Sequence, residues 1–373
     1  MIYLDTAASY PLLPEVKSTL YRAFEQEFAN SASSHLLGEL INKKIDDVRE
    51  KLADSIGAYS SEIIFTSGAT ESNNIAFKSM LLGGEISPEK KHIITTEIEH
   101  KCIFSICEYM KNQGYEITLI KPQKNGLICP NDIKKEIRPD TALVSVMHVN
   151  NELGTINPIG EIGDICVEKG VLFHSDAAQS YRKTEIDVDD MNVDIMSFSA
   201  HKIGGPKGIG AVYIRDLRHK MLLPVIHGAG QEQGIRGGTV AAPLIVGFGT
   251  AIEYFPKYYK NFEEMDYKGL LLKKLECERI NFQVNGTEKV LPHCISLSLP
   301  EINVSVLLRE NEQTICLAQG SACSSKEIEA SHVLTSLGLT REQAQSTFRI
   351  SFPLDLTNEN IDTIVTAIKK AAY

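Results

Sequence analysis

From about residue 60 to residue 215, short β-rich apolar runs alternate with stretches of helical spacing. Glu62-Ile63-Ile64-Phe65 leads into a helix beginning near Glu71, and His92-Ile93-Ile94-Thr95 into one from about Lys101. Ile117-Thr118-Leu119-Ile120 precedes a helix near Pro130, and Ala142 to His148 one after Pro158. Val171 to His174, Ile195 to Phe198 and Gly210 to Ile214 complete the series. Such alternation predicts βαβ units, and therefore an α/β fold with a mostly parallel sheet between helices.

The pattern changes after Gly249. Residues 250–280 read as helix and lead into a smaller α+β part. Near the C-terminus Ile361, Ile364, Val365 and Ile368 recur at helical spacing, a stripe that faces a core. The expected division is a large domain over 12–252 and a small domain built from 1–11 and 253–373. Without repeats, low-complexity tracts or a flexible linker, the two are expected to pack tightly.

A chain of 373 residues accommodates two such units. The net charge of -10 gives no general attraction to nucleic acid or anionic membrane, so neither is expected as a partner. No apolar stretch is long enough to cross a bilayer, and Met1-Ile2-Tyr3-Leu4-Asp5 lacks the basic start and apolar run of an export signal. The eight cysteines form no Cys-x-x-Cys pair, which suits a reducing cytoplasm better than a disulfide framework. A cytoplasmic location is therefore expected. His100, Cys102 and Cys107 are neighbours without a second matched pair, so no metal site is expected.

In sheets of this kind ligands sit beyond the carboxyl ends of the strands. Small and polar residues collect at those ends here. Ser67-Gly68-Ala69-Thr70 offers backbone N–H groups and a helix dipole to a phosphate, or simply caps a helix. Asp176, just past an apolar strand, suits a protonated pyridine nitrogen, or a cap on the next turn. Lys202 lies in a glycine-rich turn, Ser199 to Gly208, where desolvation lowers an amine's pKa and allows a Schiff base; a solvated loop lysine is the ordinary alternative. His100 is placed either to stack on a ring and move protons or to bond a helix start. Cys323, among Gly320-Ser321-Ala322 and Ser324-Ser325, reads as a reactive thiol, whereas Cys102, Cys107, Cys166 and Cys316 read as apolar fillers. Arg349 fits two-point binding of a carboxylate, or a structural ion pair.

Taken together, these segments resemble the cysteine desulfurases of the NifS/IscS type, in the aminotransferase class V family. The likeness runs in order through Tyr3 to Ala8, Ser33-Ser34-His35, Phe65 to Asn74, Glu99-His100, Asn150 to Gly154, Asp176 to Gln179, Ser199 to Gly208, Gly230 to Glu232, Arg236 to Thr239 and Gly320 to Ser325. It implies a fold-type I enzyme dependent on pyridoxal 5'-phosphate (PLP). In that reading PLP is bonded to Lys202, with Asp176 on its ring nitrogen, Gln179 facing its ring oxygen and His100 on its face. Ala69, Thr70, Ser199 and His201 surround the phosphate, and Thr239 reaches the phosphate of a neighbouring subunit in a homodimer. Asn151 and Arg349 bind the carboxylate of L-cysteine. Cys323 takes the sulfur as a persulfide and passes it to an acceptor protein, leaving L-alanine.

Two departures from the resemblance are visible. Asn30-Ser31-Ala32-Ser33 stands where the family usually has Asn-Pro-Ser, and Gly238-Thr239-Val240-Ala241 where it has Gly-Thr-x-Asn. Other class V reactions, transamination or selenocysteine lysis, are the alternatives that Cys323 discriminates. The acceptor stays open among iron–sulfur cluster assembly, tRNA thiolation, cofactor synthesis and DNA sulfur modification.

Overall fold

The computed structural model describes residues 1–318 and 331–371. Its strands are β1 (Ile2–Tyr3), β2 (Ile63–Thr66), β3 (His92–Thr96), β4 (Glu116–Ile120), β5 (Thr141–Ser145), β6 (Leu172–Asp176), β7 (Ile195–Ser199), β8 (Gly210–Ile214), β9 (Gln283–Asn285), β10 (Cys294–Ser298), β11 (Ile315–Cys316) and β12 (Thr347–Ser351). Seven of them form one sheet in the order β2-β8-β7-β6-β5-β3-β4. Pairing is parallel except at β8, which runs antiparallel to both β2 and β7. The α/β expectation with a mostly parallel sheet therefore holds.

The apolar runs have a direct cause. Consecutive residues of these strands point to opposite faces, and both faces are covered. Ile63 and Phe65 join one buried cluster while Ile64 joins another; Tyr213 and Val212 divide the same way. Buried on two sides, a strand reads as an unbroken hydrophobic run. The first helix expected after β2 starts at Ala69, runs to Asn74, and continues through a π-helical turn, Ile75–Ser79, into Met80–Leu82. The long helix Ala242–Tyr259 packs against the N-terminal helices Pro14–Gln26 and Leu36–Asp54. No described helix is long and apolar enough to cross a membrane.

A second, antiparallel sheet has the order β12-β10-β9, and β1 pairs with β11. The extended N-terminal segment is thereby stitched to the C-terminal part. Thr6 Oγ1 donates to the Ser351 and Phe352 carbonyls, and the Ala7 N–H donates to Ser351 Oγ at 2.9 Å. Held in this way, the segment carries the Ala7 and Ala8 carbonyls to the glycine-rich turn after β7. The C-terminal helix, Asn358–Ala371, buries Ile361, Ile364, Val365 and Ile368 as its spacing predicts.

Candidate active site

The carboxyl ends of β2, β3, β5, β6 and β7 open on one edge of the large sheet, together with the start of β8. Close approach there depends on Gly210. A Cβ on Gly210 would stand 2.4 Å from the Phe198 carbonyl oxygen and 2.6 Å from Gly68 Cα. Its absence lets the loop after β2 lie against the end of β7. A Cβ on Gly68 would in turn stand 3.7 Å from Ser199 Oγ, so the loop carrying Ala69 and Thr70 meets buried Ser199. The helix opening at Ala69 leaves its first N–H groups without intrahelical partners on that side.

Lys202 follows Ser199 and His201 in a short 3-10 turn, Ala200–Ile203. Its Nζ donates to the carbonyls of Ala7 at 2.7 Å and Ala8 at 2.9 Å. Burial, reinforced by the Arg349 guanidinium, lowers this amine to about 8, against the opposing pull of Asp176 and Asp5. His201 is lowered to about 4 by burial and by the Lys202 charge. Neutral at physiological pH, its imidazole serves as a hydrogen-bonding group, with Nδ1 3.4 Å from Ser9 Oγ.

Asp176 ends β6 and is buried. Its Oδ1 accepts the Ala178 N–H at 2.9 Å, and its Oδ2 accepts from Asn73 Nδ2 at 2.8 Å. Gln179, one turn on, donates from Nε2 to the Ala7 carbonyl at 2.8 Å. Gln179 and Lys202 thus share one acceptor. Asn73 is a site residue that sequence reasoning missed; its place in Thr70-Glu71-Ser72-Asn73, one turn beyond the phosphate-type loop, was the available signal.

His100 caps the helix Lys101–Asn112, its Nδ1 accepting the Cys102 N–H at 3.2 Å. The backbone-bonded alternative is therefore correct, and it coexists with a place at the site. Desolvation holds the imidazole below its ordinary pKa, with Asp176 pulling the other way. Cys102 departs from the filler expectation: it is only half-buried, and its Sγ lies 3.0 Å from His100 Nδ1 and 3.3 Å from Asn73 Nδ2. Burial pushes its thiol up to about 12, so it is a poor nucleophile. Cys107 and Cys166 are buried fillers.

Arg349 in β12 is buried and paired with Asp5, and its Nη1 donates to the Asn151 carbonyl. The ion pair named as the ordinary alternative is present. Its Nε is a buried donor that no atom of the described residues accepts. Thr239 is exposed and contributes no hydrogen bond to this cluster among the described residues. Cys323 lies outside the described residues. Its nearest described flanks are docked at the site. The Arg349 N–H donates to the Ala318 carbonyl at 3.0 Å, Ser331 Oγ bonds the buried Glu152 carboxylate, and His332 Nε2 lies 2.9 Å from the carbonyl of Glu99, the neighbour of His100.

Residues 2–364 match the aminotransferase class-V family. The chain belongs to that family. It is 41% identical to the mitosomal cysteine desulfurase of Encephalitozoon cuniculi, over 97% of this chain and 84% of that one. It is 40% identical to the mitochondrial cysteine desulfurase of Saccharomyces cerevisiae, over 98% of this chain and 74% of that one. Among solved structures it resembles SspA in complex with cysteine, with a TM-score of 0.85, 41% identity and coverage of 95% and 99%. The expected fold-type I architecture is thereby established, and PLP is the cofactor of this enzyme class.

The expected cytoplasmic location does not stand, because these relatives are mitosomal and mitochondrial. Free cysteines report a reducing interior, which those compartments share with the cytoplasm, so the cysteine pattern had no power to separate them.

The residues present fit PLP. An amine of lowered basicity, a buried carboxylate one strand away, an imidazole and the free N–H groups of a helix start gather at one edge of the sheet, and a buried guanidinium N–H has no partner among the described residues.

Proposed function

We propose that this class V enzyme is a cysteine desulfurase that moves sulfur from L-cysteine to Cys323 and then to an acceptor protein. The observation that carries the reading is the convergence on Lys202. Asp176, His100 and Arg349 meet there, and of the two flanks of the segment holding Cys323 one is bonded to Arg349 and the other to Glu152 and to Glu99, the neighbour of His100.

Lys202 is the residue to which PLP would be bonded, with Asp176 at its ring nitrogen, Gln179 at its ring oxygen and Ala69, Thr70, Ser199 and His201 around its phosphate. When bound, PLP supplies an electron sink for charge at the substrate Cα. Arg349 Nε and the Asn151 side chain hold the substrate carboxylate, which fixes Cα toward Lys202. The Lys202 amine, neutral in a useful fraction near pH 7, takes the Cα proton. His100 keeps Nδ1 committed to the helix start, so its Nε2 is the nitrogen that holds or moves a proton. The Cys323 thiolate attacks the substrate sulfur. A sulfur–sulfur bond forms, the Cβ–sulfur bond breaks, and its electron pair stays with the substrate carbons; Cβ takes a proton to become the methyl, and Cα regains a proton from Lys202, giving alanine. Thr239 on a second copy would complete the phosphate site, making the working unit a homodimer with domains at 12–252 and at 1–11 plus 253–373.

The test is a pair of substitutions. Cys323→Ser should bind PLP normally yet form no persulfide, whereas Cys102→Ala should keep turnover within about threefold of the unmutated enzyme, its thiol being too basic to act. Sustained sulfide and alanine release by Cys323→Ser, or its loss in Cys102→Ala, would refute the assignment. Formation of 3-mercaptopyruvate with an amino-group acceptor, in place of alanine, would favour transamination.

A further inference from the structure

One lysine faces the cofactor side chains although no step uses it. Lys183, in the turn after β6, is 8% exposed. Lysine is seldom buried without a carboxylate, and no carboxylate pairs with Lys183 among the described residues. Its Nζ donates to Gln179 Oε1 at 3.4 Å. The charged and titratable groups around it are the Lys202 amine, the Arg349 guanidinium, the Cys294 thiol and the His293 and His201 imidazoles. Burial, then the Lys202 charge, lowers its amine to about 7. A buried amine in cationic surroundings is a costly arrangement that a merely structural position would fill better with an apolar side chain.

The consequence falls on Gln179. An amide has a donor end and an acceptor end, and which way it points follows from its partners. An ammonium only donates, and the neutral amine that replaces it above about pH 7 still offers N–H groups, so Lys183 takes Oε1. Nε2 then faces the Ala7 carbonyl, the same oxygen that accepts from Lys202 Nζ. The second hydrogen of that nitrogen remains for a group bound beside Lys202. We propose that Lys183 is a positioning residue that locks the Gln179 amide so that its N–H end, and not its oxygen, faces the ring oxygen of PLP. The inference rests on the assignment of Lys202 and Gln179 to PLP.

A donor on the ring oxygen stabilises its negative charge and loosens the proton shared between that oxygen and the Lys202 nitrogen. The pH midpoint of the bound cofactor's visible band is therefore lower with the lock in place. Titrating PLP-loaded protein between about pH 5.5 and 10, Lys183→Met should raise the midpoint by about one pH unit. Lys183→Gln keeps an N–H donor for Oε1 without the charge, and should move it by less than half as much. Met matches the length of Lys and removes a buried amine, so folding should survive; Lys183→Gln carries the test if it does not.

Adding Lys183→Met to Gln179→Leu should produce no further shift, since the action passes through the amide. Midpoints within about 0.2 unit of the unmutated value in both single variants overturn the proposal. So does an undiminished extra shift on the Gln179→Leu background, which would mean that the charge acts directly. Borohydride reduction separates the layers. A label away from Lys202 in unmutated protein sinks the cofactor assignment itself, whereas a label on Lys202 with unmoved midpoints sinks only the role of Lys183.

Discussion

The lowered basicity of Lys202 makes a quantitative demand on cofactor capture. Only the neutral amine attacks an aldehyde. At pH 7 an amine of pKa about 8 is neutral in about one molecule in ten, whereas one at the ordinary 10.5 is neutral in about one in three thousand. Burial and the Arg349 charge thus enlarge the reactive fraction about 300-fold. Arg349→Leu removes the second of these causes and also releases Asp5, whose carboxylate pulls the amine pKa upward. Because burial is the larger cause and persists, the shift should stay below about one unit, and PLP capture at pH 7 should slow by up to about tenfold. The assay is the rate at which apoprotein gains the visible cofactor band, followed from about pH 6 to 10. The log rate should rise with pH and level off near 8 in the unmutated protein, and at higher pH in the variant. A break near 10 in the unmutated protein, or one in Arg349→Leu at or below the unmutated position, would refute the link between burial and capture.

Two other residues make separate demands. Glu99 is fully buried, and its Oε1 accepts from Thr96 Oγ1 and the Met147 N–H while Oε2 has no partner among the described residues. Burial raises this carboxyl to about 8 from 4.5, so the folded chain holds the proton longer than the unfolded one and loses stability as pH climbs from about 4.5 to 8. Glu99→Gln keeps the acceptor and abolishes that loss; in urea titrations of apoprotein its advantage should be larger at pH 8 than at pH 6, and a constant difference would count against a raised carboxyl pKa. Gly210→Ala forces a methyl against the Phe198 carbonyl and Gly68, and should cost about 1–3 kcal/mol of stability and weaken PLP binding about tenfold. Unchanged melting and an unchanged PLP dissociation constant would show that the close approach is not required.

Much of this protein is legible along the chain. The large-sheet strands declare themselves because each is buried on both faces, so local hydrophobicity alone marks Ile63 to Phe65 or Ile195 to Phe198 as strand. Since ligands gather at carboxyl ends of such strands, Ser199, Lys202, Asp176 and His100 could be nominated without coordinates. Tertiary structure alone decided the rest. The reversal of β8 is invisible in Gly210 to Ile214, because a strand's direction is set by the neighbours it pairs with and not by its own residues. Arg349 looks the same in sequence whether it binds substrate or Asp5, and only the stitching of the N-terminal segment to β12 brings the two together. Lys183 and Glu99 sit in unremarkable polar surroundings by sequence, yet folding takes both out of water. Their altered acidity is a property of the assembled interior, where the cost of a charge depends on every element packed around it.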